Sequence, residues 1–414
     1  MPPTGHTAGS AQPTRSKAPM NIRKICINAF LTVEFVICGS ISAYAGSFVV
    51  NDVVVSDPSG SLTDMEFDKT ATPRQSWQEH DGNVWVANVD PAAGTWSPPD
   101  GKQILIATNA VPIQDTRQGP EWASDNRGDR VLFTGAISGG MQIYQSTYNQ
   151  QTGQYDVLPV AQSSGTALAH GSHTPGDPHP RLLYTIPAAN GKVSQHTYGW
   201  REIDNPQTGG TLPSDFIMPE WVDGRSAWVN GQYSYSIVAT KTVSALDQVV
   251  FYDTGSGITT QLTRTGSSAR FPVMWLDPAC NCWLLTAILD NAKIGVWEEQ
   301  SDGRWLLVNQ LRPPTQLPYL FKPDYFIWNG ASYLAYSTSN QKDGRKQALN
   351  DVGEVWVTRV SGQGPFRHRQ VNDPSVTHIK DVENLTLTTG VYCYYTEILQ
   401  DGRRLIHKAA TGLH

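Results

Sequence analysis

Charge is scarce in this sequence. Asp, Glu, Lys and Arg make up 16% of its 414 residues, and they leave a formal net charge of −6. Without a basic excess the chain has no electrostatic hold on a phosphate backbone or an anionic membrane surface, so nucleic acid is not an expected partner. Amphipathic helical periodicity is missing after residue 45, which argues against a helical fold. No phosphate loop, no Gly-x-Gly-x-x-Gly opening a helix and no serine nucleophile elbow occurs, and the chain has no room for an added α/β-hydrolase domain.

Cysteine is sparse too. Of five cysteines, Cys26 and Cys38 lie near the N-terminus, leaving Cys280, Cys282 and Cys393. An odd number excludes complete pairing, and Cys280 and Cys282 are too close for an unstrained bridge within a strand. One bridge to Cys393 and three half-buried free thiols are the two readings left open. A Cys-x-Cys with no second pair or nearby histidine does not make a zinc site.

What is abundant is turn and aromatic chemistry: 36 Gly, 27 Pro, 13 Trp and 16 Tyr. That mixture belongs to a turn-rich β protein. The clearest stretch is Phe321 to Val360. Pro323 to Trp328 and Ser332 to Ser337 flank Asn329-Gly330, the strongest two-residue hairpin signal, and Glu354 to Val360 and Phe366 to Val371 extend the meander to four strands.

The same grammar recurs. GPEWASDNRGDRVLFT from Gly119, MPEWVDGRSAWVNGQYSYSI from Met218 and RFPVMWLDPACNCWLLTAI from Arg270 each open a first strand with Pro and an aromatic, then pass through a polar turn to an apolar second strand. Third strands recur from Val84, Met141, Val249 and Ile294. Seven units can be counted, the weakest being Pro180 to Trp200, and their spacing of about 40 to 60 residues suits propeller blades. The expected fold is an all-β propeller with seven blades preferred and five or six as alternatives. Three strands end the chain after Asn384, and Ser47 to Val55 is a lone β-branched strand before the first unit, so it is expected to close the ring as the outer strand of the last blade.

Residues 1–45 read as an N-terminal extension and signal peptide, and residues 46–414 as a single propeller domain. Met20 opens a segment with Arg23 and Lys24, Ile25 to Ile41 is mostly apolar, and Ala43-Tyr44-Ala45 fits a small-x-small cleavage site. Glu34 departs from the apolar run. The expected product is periplasmic or secreted, with no membrane span in the mature chain.

Candidate chemistry collects at the first strands, which in a propeller line the axis. Glu121 and Glu220 stand in identical Pro-Glu-Trp tripeptides, Asp324 in Pro-Asp-Tyr, Glu66 and Asp68 before the first unit, and Asp381 and Glu383 in the last. Grouped carboxylates drive their pKa values apart, which is what a glycoside hydrolase needs of its acid and its base or nucleophile. Glu121, Glu220 and Asp324 are the candidate catalytic acids. Trp122, Trp221, Trp275 and Tyr325 offer aromatic faces to a sugar, and Asp68 and Glu383 further polar contacts. The plainer reading gives these acids to backbone amides of adjoining blades and the aromatics to the wedges between them. A divalent cation such as calcium could share the axial oxygens. The stretch Ala161 to Pro180 is too polar and proline-rich for a strand and reads as a solvated loop. Its His170, His173 and His179 are candidate metal ligands at spacings that match no ordered motif. Lys342 to Asn350 reads as an exposed basic hairpin tip.

Single blades resemble known families. GPEWASDNRGDRVLFTG resembles the Pro-x-Trp-Ser-x-Asp-Gly repeat of TolB-like propellers. KPDYFIWNGASYLAYSTS, together with NDPSV from Asn372 and VYCYYT from Val391, is similar to blades of family 43 and related glycosidases. The second resemblance implies Asp324, Asp373 and Glu121 as counterparts of glycosidase carboxylates. A glycan or other polar ligand at the axial mouth is the expected partner, with a non-catalytic, TolB-like protein-interaction propeller as the competing expectation.

Overall fold

The computed structural model describes residues 51–56, 62–68, 70, 72–96, 104–112, 119–124, 130–172, 179–186, 197–229, 232–342 and 352–414. The expected leader at 1–45, His173 and most of the loop from Lys342 to Asn350 lie outside them. Among the described residues there is no helix.

Seven four-stranded antiparallel sheets follow one another and form a seven-bladed β-propeller. The innermost strands of blades 1 to 7 are Leu62–Phe67, Glu121–Ala123, Ala167–Gly171, Phe216–Trp221, Ala269–Asp277, Tyr319–Trp328 and Ile379–Leu387. Blade 6 contains the expected four-stranded meander. Its first hairpin turns at Asn329 and Gly330, with φ of 49° and 74°, the pair of positive values that a type I′ turn demands.

The sheets are held to one another by seven apolar clusters, each shared by two neighbouring blades. Trp122, Val131 and Phe133 of blade 2 pack on Val84 and Val86 of blade 1, and Leu385, Tyr394 and Ile406 of blade 7 pack on Leu62, Met65 and Phe67 of blade 1. A blade therefore buries both faces, and its second strand must be apolar on both. In blade 3, Leu182 joins the cluster with blade 2, while the next residue, Leu183, joins the cluster with blade 4. This is why second strands such as Ala331–Ser339, buried throughout, read as continuous runs rather than alternations. The outer strand Trp305–Leu311 alternates because one of its faces meets water.

Asp52–Val54 pairs antiparallel with Arg404–Leu413, Asp52 opposite Ala409 and Val54 opposite His407, so an N-terminal strand closes the ring as expected.

Three expectations change. The stretch read as a loop contains the innermost strand of blade 3, Ala167–Gly171. Its Ala-Leu-Ala-His-Gly lacks β-branched residues because small side chains are needed where blades converge: a Cβ on Gly171 would collide with the carbonyl oxygen of Trp122. In blade 4 the polar turn after the first strand carries an extra hairpin, Ala227–Val229 with Gln232–Ser234. Cys280 and Cys282 are bonded to each other, with Cα atoms 5.2 Å apart, and Cys393 is free and buried. The bond is accommodated because it spans the end of a turn, with Cys280 in the turn, Asn281 at φ 52° and Cys282 the first residue of the next strand.

Candidate functional site

Six of the seven innermost strands break register with their neighbour. The shifts fall between Leu62 and Asp64, Leu168 and His170, Ile217 and Glu220, Arg270 and Val273, Phe321 and Asp324, and Lys380 and Val382. In blades 4, 5 and 6 the break contains Pro219, Pro272 and Pro323. Proline gives no N–H to a ladder, so it is tolerated where a bulge leaves the position unpaired. The residues before these prolines, Met218, Phe271 and Lys322, have φ of 51°, 55° and 42°, and Asp381 has 45°. Such conformations cost about 1–3 kcal/mol each and persist where the surrounding fold imposes them. Each bulge re-aims the next side chains toward the axis.

The result is an axial cavity of about 380 Å³ to which all seven blades contribute. Asp64, Glu66, Glu121, Glu220, Asp223, Asp324 and Glu383 line it, against the two cationic or basic groups His170 and Lys322. Met218, Phe271, Met274, Tyr325 and Phe326 supply apolar surface.

The polar groups bridge blade to blade around the axis. His170 of blade 3 lies between its two neighbours, Nδ1 3.2 Å from Glu121 Oε2 of blade 2 and Nε2 3.3 Å from Glu220 Oε2 of blade 4. Burial alone would depress its pKa. The charges of Glu220 and Glu121 outweigh burial and raise it to about 10, so the imidazole is a cation at neutral pH. On the other side Lys322 Nζ of blade 6 is 3.0 Å from Asp381 Oδ1 of blade 7, whose other oxygen is 3.2 Å from Lys380 Nζ. Burial would raise the Asp381 carboxyl, but Lys322 and Lys380 hold it well below the usual range; Asp381 in turn raises the Lys322 ammonium. Asp64 of blade 1 accepts a 2.8 Å hydrogen bond from the Gly119 amide. Burial first, and then the Asp381 charge, push its carboxyl up to about 6 despite the two lysines. The cavity therefore contains a carboxyl that holds its proton into the weakly acidic range among carboxylates paired with cations.

Glu121, Glu220, Asp324, Trp221, Tyr325 and Glu383 all line this cavity. Asn384 Nδ2 donates to Asp324 Oδ2, and Tyr325 stacks on the buried Trp275 at 5.1 Å and 10°. Trp221 packs against the Arg181 guanidinium, 4.9 Å from its ring centre.

Other expectations are corrected. Trp122 is fully buried between blades, its Nε1 donating to Glu66 O and its ring under Arg74, so it offers no face to a ligand. Asp68 is buried and bound to Arg74 Nε at 2.6 Å, outside the cavity. Asp373 sits between blades 6 and 7, where its carboxylate caps Ser375 and its amide donates to Asp52. His179 faces Glu202 at 3.6 Å and packs against Tyr233 with the rings tilted at 55°, apart from His170 and its partners. Among the described residues no group of three or more His, Cys, Asp and Glu is placed to hold a metal ion; His173 lies outside them, and His170 bridges Glu121 and Glu220. The structure brings in Asp64, Lys322 and Met218, which the sequence reading did not nominate. For Met218 and Lys322 the signal was the residue preceding proline in the first strand, visible once Met-Pro-Glu and Lys-Pro-Asp are aligned, whereas Asp64 precedes Met65 and carried no such signal.

No protein-family model matches the sequence, and no curated protein matches it. Among solved structures the chain is similar to the Dos1 propeller, at 9% identity and a TM-score of 0.47 over 86% of this chain and 80% of that one. It is similar to the β-propeller domain of Cps50 (Swd1) from Myceliophteria thermophila, at 10% identity and 0.45 over 86% and 98%. It is also similar to a putative TolB from Agrobacterium tumefaciens, at 11% identity and 0.39 over 75% and 95%. These likenesses concern the propeller fold.

Proposed function

We propose that this is an exported propeller that takes a carbohydrate, or a similarly hydroxyl-rich small ligand, in its axial cavity. The observation that carries the reading is the convergence, in one cavity of about 380 Å³, of carboxylates from separate blades with Tyr325 and Trp221. Carboxylates accept hydrogen bonds from sugar hydroxyls, and an aromatic face takes the apolar side of a pyranose. If the bound sugar is also cleaved, Asp64 is the group suited to donate a proton near pH 6, with Glu220 or Asp324 as the second acid of the pair.

The test is a glycan panel followed by thermal shift, with release of reducing ends measured in parallel. A stabilising ligand whose effect disappears in Glu220→Gln or Asp324→Asn supports binding, and reducing ends lost in Asp64→Asn support cleavage. No shift with any glycan would refute the reading. A second reading, a surface for protein partners, is favoured by the hairpin Ala227–Val229 with Gln232–Ser234, which presents Trp228 at 63% exposure with its ring edge-on to Tyr233. Under that reading Trp228→Ala weakens partner binding while Glu220→Gln does not.

A further inference from the structure

We propose that the Cys280–Cys282 disulfide is a thiol–disulfide exchange site rather than a structural staple. The proposal is independent of the axial ligand. The bond joins residues two apart in the turn between Ala269–Asp277 and Cys282–Leu289 of blade 5. A cross-link stabilises a fold chiefly by removing freedom from the unfolded chain, and a ring this small removes very little.

Nor does the turn depend on sulfur. Asn281 supplies the left-handed residue, the Cys280 amide donates to Asp277 Oδ2 at 3.3 Å, and Asp277 pairs with Cys282 across the two strands. The corresponding turn of blade 6 is made by Asn329 and Gly330, and that of blade 7 ends in Gly390 at φ 137°. Neither contains cysteine. Asp277 itself is anchored, since its Oδ1 accepts from Ser332 and, at 2.5 Å, from Ser361 of blade 6. Opening the disulfide leaves these bonds in place.

The two sulfurs are not equivalent. Cys280 is exposed and Cys282 is half-buried against the wedge between blades 5 and 6. Asp277 Oδ2 lies 3.2 Å from Cys280 Sγ. A carboxylate at that distance disfavours negative charge on Cys280, so Cys282 is the better leaving thiolate. Exposure selects Cys280 as the sulfur attacked and the leaving-group preference agrees, while the same carboxylate slows the approach of an anionic thiolate. An incoming thiolate attacks Cys280 Sγ and forms a mixed disulfide as the Cys280–Cys282 bond breaks, and its electron pair goes to Cys282 Sγ, which then takes up a proton. A second thiolate attacks the incoming sulfur of the mixed disulfide and releases Cys280. Two thiols become one disulfide while the protein disulfide gains two electrons. Cys393 takes no part: it is buried, and burial pushes its thiol pKa far up.

The substrate class is a free thiol, from a small molecule or an exposed cysteine of a peptide. The full chain is incubated at pH 8 with reduced glutathione or with a one-cysteine peptide, quenched with acid, and mapped by mass spectrometry while circular dichroism follows the fold. The expected result is mixed disulfide and free thiols at residues 280 and 282 in the still-folded protein, with Cys280 carrying the adduct at least about fivefold more often than Cys282. Glutathione reacting faster identifies small thiols as the substrate, and the peptide reacting faster identifies peptide cysteines. The Cys280→Ser, Cys282→Ser double variant should melt where the wild type melts. Resistance of both cysteines until the chain unfolds, adduct shared equally between them, or a large fall in the melting temperature of the double variant would each overturn the proposal.

Discussion

Two histidines of this protein each stand between two carboxylates, and the fold uses them differently. His407 lies at the seam that closes the ring, Nδ1 2.9 Å from Asp52 Oδ1 and Nε2 2.9 Å from Glu397 Oε2, with side-chain exposures of 7%, 1% and 19%. His170 lies at the axis, 3.2 and 3.3 Å from its acids, with its own side chain at 25% and Glu220 at 39%. At the seam every surrounding group is committed: Asp52 also accepts from Tyr395 Oη and from the Asp373 amide, and Tyr395 stacks on the imidazole. At the axis seven carboxylates face one lysine and one histidine around open space. The same constellation thus locks the chain in a buried place where every group has a partner, and leaves capacity for a ligand in an open, acid-rich one.

The largest effect should come from breaking the seam. Asp52→Ala leaves His407, Tyr395 and the Asp373 amide without the group they converge on, and removing one partner of a buried pair costs about 3–5 kcal/mol. Urea unfolding measures it. The pH dependence has a definite sign. Burial alone would lower the His407 pKa, but its hydrogen bonds to Asp52 and Glu397 raise it above 6.5. A raised histidine contributes stability in full below its unfolded value, and that stability is lost as pH rises through the folded value. The urea midpoint of the wild type should therefore fall above pH 6.5 more steeply than that of Asp52→Ala. Equal slopes would mean that the seam histidine is not charged.

An intermediate effect belongs to Asp64, where the axis resists ionisation. Its carboxyl is raised from 3.8 to about 6, so its protonated form is favoured by the fold and stability declines as pH climbs through that interval. Asp64→Asn keeps an oxygen for the Gly119 amide and cannot ionise. At pH 8 it should be more stable than the wild type by on the order of 1–2 kcal/mol, a figure discounted for the partial exposure of the side chain, and at pH 4 no more stable. Guanidinium melts at the two pH values decide it, and a gain of equal size at both would assign the effect to packing instead.

The uneven legibility of the sequence follows from the same contrast. Blade 6 could be read because Asn329-Gly330 dictates its own turn, and the ring closure because three terminal strands require a fourth. The identical Pro-Glu-Trp tripeptides could not be told apart, since their fate depends on a bulge. The strand of blade 4 shifts register between Ile217 and Glu220 and brings Glu220 and Trp221 to the cavity, whereas the short strand Glu121–Ala123 pairs without a shift and buries Trp122. Asp52 and His407 are 355 residues apart, and Lys322 and Asp381 59 apart, so no local pattern relates them. The strand carrying His170 was hidden because convergence at the axis selects small residues, which look like a loop.

The smallest change in stability should mark the clearest difference between the two histidines. Glu220→Gln removes a carboxylate that is well exposed, and pairs of that kind contribute about 0–1 kcal/mol, so the unfolding midpoint should barely move. The charge state of His170 should move instead. Glu220 is the largest of the influences that raise its pKa, ahead of Glu121 and Glu66, while burial continues to lower it. In Glu220→Gln the imidazole proton resonances of His170 should titrate well below pH 10, and those of His407, in its separate pocket, should keep their wild-type midpoint. If His170 titrates unchanged, Glu220 is not coupled to it in solution, and the axis has lost the bridge on which its comparison with the seam depends.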